Sequence, residues 1–167
     1  MPIKDKLEKC FKEGEKKERH KGLRKIDVNK EKINNHLLKA EHNFKALIYF
    51  KKGGFSDWSA SASFYTLYHC ILALCAKYGY ESRNQECSFA LIESLIDQKI
   101  IKNISKEDLK EIFDKSVEEN LENSDKILDI RERMQYSTKT DMEDEQFKAL
   151  LERTKILFDK LKREAER

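Results

Sequence analysis

A chain of 167 residues, 39% charged and 39% hydrophobic, is long enough for one buried core. With 1 proline and 5 scattered glycines it has few strand or turn signals and no Walker or dinucleotide-binding loop. A net charge of +3 is too small by itself to imply nucleic acid, so the distribution of charge matters more than its sum.

The first element, about Lys4 to Lys16, offers Leu7, Cys10 and Phe11 and then only charge. It predicts a short amphipathic helix followed by a basic, mobile linker through Asp27. Residues 1–30 carry 11 Lys or Arg against 6 acids, with a cluster at Lys16, Lys17, Arg19, Lys21, Arg24 and Lys25. That run can grip a phosphate backbone or be a solvated linker, and it has no aromatic for base stacking. Asn29 can cap a second helix, with Glu31 favourable in its first turn, running to about Lys51. Ile33, Leu37, Ala40, Phe44, Leu47 and Ile48 keep helical spacing on one face. Gly53-Gly54 ends it, and Ser56 or Asp57 can cap the next.

From Trp58 to Tyr78 the apolar and aromatic residues go most of the way round a helix, the pattern of an element enclosed by others. Ser59, Ala60, Ser61, Ala62 and Ser63 let neighbouring backbones approach closely, and Gly79 suits a left-handed C-terminal cap. The run has the length of a membrane span, but its Ser and Thr content and the enclosed-helix reading argue against one. A polar connection, Tyr80 to Gln85, leads to a shorter helix through about Asp97. Ser105-x-x-Asp108 resembles a capping box and opens a long acidic helix over 106–129 with Leu109, Ile112, Phe113, Val117, Leu121, Ile127, Leu128 and Ile130. An interruption is expected near Asn120–Ser124. Residues 105–145 hold 14 acids against 7 basic side chains, a solvated face or a surface for a basic partner. Thr140-x-x-Glu143 reads as the capping box of a last helix whose stripe is Phe147, Leu150, Leu151, Thr154, Leu157, Phe158 and Leu161.

The fold expected is all-α: an antiparallel, up-and-down bundle of four to five helices over 29–167, preceded by a short helix and basic linker over 1–28. Cys10, Cys70, Cys75 and Cys87 lack Cys-x-x-Cys spacing, so buried free thiols in a reducing cytosol are expected, without metal or cofactor. No signal peptide or lipidation motif is recognised, and a cytoplasmic location is expected.

Four patterns in order over about 30–160 then resemble the HEPN domain family, in its small stand-alone archaeal and bacterial form. They are His36-Leu37-Leu38-Lys39-Ala40-Glu41, Phe64-Tyr65-Thr66-Leu67-Tyr68-His69-Cys70, Gly79-Tyr80 with its polar turn to Cys87, and Arg131 to Tyr136 before the last helix. The start at Cys10 to Gly14 is similar to archaeal members. The resemblance implies a bundle that dimerises, a minimal nucleotidyltransferase as toxin–antitoxin partner, and metal-independent RNA cleavage in active members. Those active members resemble one another in an Arg followed four to six residues later by a His. Here His20, His36, His42 and His69 are the only histidines, and Tyr136 follows Arg131 instead. Tyrosine, with a pKa of ~10, is a poor base where histidine at ~6.5 exchanges protons readily.

The candidate residues follow. Arg131 can hold phosphate bidentately or be tied to Glu41 in an inter-helix ion pair. Tyr136 presents a hydroxyl or is buried and capped, and His69 is a core imidazole or a proton-transfer group beside Tyr65. Arg83, with Asn84 and Gln85, either approaches the same end of the bundle or is a solvated connection, and Arg133 is a further phosphate-binding candidate. One expected groove of Glu41, Tyr65, His69, Arg83, Arg131 and Tyr136 binds RNA or a nucleotide phosphate. The alternatives are a degenerate endoribonuclease using Arg131, Tyr136 and His69, and a structural dimerisation scaffold without ligand.

Overall fold

The computed structural model describes residues 1–16, 21–114 and 126–167. Helix α1 (Ile3–Glu15) leads to strand β1 (Leu23–Lys25), then to the long helices α2 (Lys30–Lys52) and α3 (Ser56–Lys77). Strand β2 (Tyr80–Ser82) and helices α4 (Gln85–Asp97), α5 (Lys106–Ile112), α6 (Ile127–Tyr136) and α7 (Asp144–Glu166) follow. The chain is an all-α bundle with one two-stranded sheet, α3 at its centre and α2, α4, α6 and α7 packed around it.

Local chemistry sets the element ends. Asn29 Oδ1 accepts from the backbone N–H of Glu31 at 2.8 Å and of Lys32 at 3.3 Å, capping α2. Gly79 closes α3 with φ +85, a conformation that costs glycine little. The Ser105–Asp108 capping box forms in both directions. Two caps differ from expectation. Phe55 occupies the N-cap of α3, and Ser56 inside the helix accepts from Met142 N–H at 2.7 Å, tying the start of α3 to the segment before α7. Glu143 stands at the N-cap of α7 without a side-chain bond, so Thr140 caps nothing.

The small-residue stretch of α3 works as a close-packing face. Ser59 donates to Leu47 O at 2.8 Å, and Ser63 and Thr154 share a 2.6 Å hydroxyl contact with α7. These bonds satisfy polar groups that burial would otherwise leave costly. α3 is the one helix among the described residues long and apolar enough to cross a membrane, and 72% of its most apolar window is buried within the bundle.

Four expectations are corrected. The linker through Asp27 is not unstructured over its described part: Leu23–Lys25 pairs antiparallel with Tyr80–Ser82, Arg24 opposite Glu81, and Leu23 is fully buried. The long acidic helix ends at Ile112, where Phe113 turns extended with φ -148, and helix resumes at Ile127; Val117, Leu121 and the interruption expected near Asn120–Ser124 lie outside the described residues. Cys10 and Cys87 form a disulfide joining α1 to α4, leaving Cys70 and Cys75 as buried free thiols. Sequence spacing cannot show such a pair, because its members are 77 residues apart. Trp58, read as part of the enclosed surface of α3, is 56% exposed.

Candidate phosphate-binding site

α6 buries Ile127, Leu128, Ile130 and Met134, and this face carries Arg131 against α3. The guanidinium carbon lies 4.4 Å from the Phe64 ring centroid and 5.7 Å from that of Tyr65. Arg131 Nη1 donates to Tyr65 Oη at 3.2 Å. Its Nε is buried and has no hydrogen-bond partner among the described residues. Stacking on an aromatic face stabilises the cation by about 0.5–2 kcal/mol. A buried, unpaired donor is costly, and Nε of Arg131 is the one buried side-chain polar atom without a partner among the described residues.

One turn along α3 from Tyr65, His69 Nδ1 lies 3.2 Å from His36 Nδ1 on α2, so one ring nitrogen donates to the other. Burial, with His36 and Lys39 nearby, lowers the pKa of His69 to about 4. His36 is lowered too, by burial first and then by Lys32, with Glu81 opposing. Both imidazoles are therefore held neutral. One turn before His36, Lys32 meets Glu81 at 2.9 Å, and Glu81 meets Arg83 at 3.3 Å. The bond from Lys32 is the largest cause holding the Glu81 carboxyl below its usual range.

The expected groove thus resolves into a strip along the α2–α3 seam. Arg131 and Tyr65 stand at one end and the histidine pair in the middle. Arg83 follows the far end of α3, about 18 Å of helix axis beyond Tyr65 at 1.5 Å per residue. Tyr136 is 81% exposed and makes no hydrogen bond among the described residues. Glu41 is exposed on α2 and is not the partner of Arg131, so the ion pair weighed as the alternative to phosphate binding does not form. Arg133 is half-buried and lines a groove of about 750 Å³ at the α6–α7 turn, with Met134, Ser137, Lys139 and Asp141. No group of three or more His, Cys, Asp or Glu able to hold a metal ion exists among the described residues.

Sequence reading missed His36 as the partner of His69, and Phe64 as the platform under Arg131. A signal was present for the first. His36 adjoins the apolar stripe of Ile33, Leu37 and Ala40, where a polar ring needs a partner from the facing helix.

The sequence model of the HEPN domain matches residues 33–164. The chain belongs to the HEPN family. The matched span runs from α2 into α7 and includes every candidate residue, while α1 and β1 precede it. A search of curated proteins finds no match. Within this HEPN bundle, the position five residues after Arg131 is a solvent-facing tyrosine, and the two paired, half-buried imidazoles lie on α2 and α3.

Proposed function

We propose that this HEPN domain binds RNA or a nucleotide phosphate through Arg131, as the binding component of a nucleotidyltransferase-linked system in which it acts as a homodimer. The observation that carries the reading is the Arg131 guanidinium, stacked on Phe64, steadied by Tyr65 and left with a buried, unpartnered Nε. An arginine neutralised by a carboxylate would have served structure alone, and Glu41 does not do this. The exposed Tyr136 favours binding over cleavage, since nothing positions its hydroxyl or activates it as a base.

One observation favours a second reading, a metal-independent endoribonuclease. His69 lies one turn from Tyr65 with its Nδ1 3.2 Å from that of His36. This linked pair of imidazoles can relay a proton beside the arginine, although a pKa of about 4 makes His69 a weaker base than a free imidazole. The two readings separate in one experiment: labelled single-stranded RNA is incubated with the protein in a chelator, and retention and chain length are measured for the wild type, Arg131→Ala and His69→Ala. Binding without cleavage, weakened at least tenfold by Arg131→Ala with a shallower salt slope, supports the binder. Cleavage lost in both variants supports the nuclease. Retention that ignores Arg131 overturns both.

A further inference from the structure

The central helix is enclosed on every side but one. Eight positions of α3 are incompletely buried. Five of them, Trp58, Ser61, Tyr65, His69 and Leu72, follow at successive spacings of three and four, so they form a stripe along the helix, with Asp57, Tyr68 and Lys77 outside that spacing. Trp58 is 56% exposed and Tyr65 39%, on a helix where Phe64, Leu67, Ile71 and Leu74 are fully buried and Tyr68 and Leu72 half-buried. Seven residues apart, the two rings lie on one face about 10.5 Å apart along the axis. The inner ring of the pair holds Arg131 by its hydroxyl.

We infer that this stripe is a base-stacking track for unpaired nucleotides, with Trp58 as the outer platform and the Arg131–Tyr65 pair as the phosphate anchor. The inference rests on the phosphate-binding reading of Arg131 and adds the class of ligand: a single strand with accessible base faces, in place of a duplex or a bare anion. Two features select that ligand. Arg131 supplies a cation with an unfilled buried donor, which calls for an anionic oxygen. Trp58 supplies an exposed aromatic face two helical turns away, within reach of a neighbouring nucleotide of the same strand. A positive anchor beside aromatic rings is how single strands are held without sequence readout. A duplex conceals its base faces and leaves Trp58 nothing to stack on.

Trp58 is the 1 tryptophan of the chain, so its fluorescence reports on this position alone. The test titrates full-length protein with an oligoadenylate single strand, the same sequence in a duplex, and heparin as a polyanion without bases. It follows Trp58 emission and anisotropy of the labelled strand for the wild type, Trp58→Ala, Trp58→Phe and Arg131→Ala, with sedimentation velocity on each. The expected result is quenching by the single strand alone, an affinity loss of about 5- to 100-fold in Trp58→Ala and retention in Trp58→Phe. Arg131→Ala weakens both the single strand and heparin. If RNA binds and needs Arg131, while Trp58 emission and Trp58→Ala show no change, the stacking track is overturned and the phosphate reading stands. If nothing binds and Arg131→Ala is silent, both fall. If Trp58→Ala instead converts a dimer to monomer with no effect on RNA, the stripe is an interface between copies and the inference fails.

Discussion

At the scale of single residues, the histidine pair has the most direct consequence for stability. The folded chain holds His69 neutral down to about pH 4, whereas an unfolded imidazole protonates from about 6.5 downward. Between those values the unfolded state binds more protons, so the pair's contribution is fully present above pH 6.5 and is lost as pH falls towards 4. His36 is shifted in the same direction and adds to the slope. Urea unfolding at pH 7.5, 6.0, 5.0 and 4.5 should show falling midpoints, and His69→Gln should flatten the fall. The carboxylates of Glu81, Asp108 and Asp144, all held low, act mainly at the acid end and remain in the variant. A His69→Gln profile parallel to the wild type would show that the imidazole pair is not the source.

At the scale of elements, the close approach of α1 to β1 is a stronger constraint than any hydrogen bond in the segment. A Cβ built on Gly14 would lie 1.9 Å from Leu23 O, a backbone atom that cannot swing aside, and Arg24 Nε already donates to Gly14 O at 2.6 Å. Gly14→Ala should therefore cost about 1–3 kcal/mol through overpacking, despite alanine's better helix propensity. Gly53→Ala is the control: its φ is -82 and its nearest new contact is 3.4 Å, so its thermal midpoint should hardly move. Equal losses at both sites would refute the contact argument. The same segment marks where sequence reading ran out. Helices α2, α3, α4 and α7 were legible because apolar spacing over 13 to 23 residues averages out local noise. β1 is three residues of Leu, Arg and Lys and exists only because β2 pairs with it, so nothing local announces it. At the site, the stretch Phe64 to His69 and the arginine of α6 could be named from pattern. Their grouping into a strip, and the partnership of His36 with His69, depend on helix rotation that composition does not encode.

At the scale of the whole molecule, the segment ahead of the HEPN match is tied into the bundle's own core. Cys10 and Leu23 belong to the same buried cluster as the central helix, and the Cys10–Cys87 disulfide closes 77 residues of chain between α1 and α4. The free thiols that supported a reducing compartment are thus only two, Cys70 and Cys75; burial pushes the Cys75 thiol up to about 12 and raises Cys70 likewise, which makes both inert. A cross-link over a loop this long restricts the unfolded chain, by about 4.5 kcal/mol in the chain-entropy model, with typical measured values of about 2–4 kcal/mol. Cys10→Ser with Cys87→Ser leaves the folded contacts of α1 nearly intact and lets the unfolded chain expand, so the loss should appear as a lower urea midpoint with a steeper slope. Adding dithiothreitol to the unfolding series should lower the wild-type midpoint to that of the double variant and leave the double variant where it was. A wild-type midpoint indifferent to the reductant, with free thiol titration giving four, would mean that packing at Gly14 and Leu23 holds α1 in place without the covalent clasp.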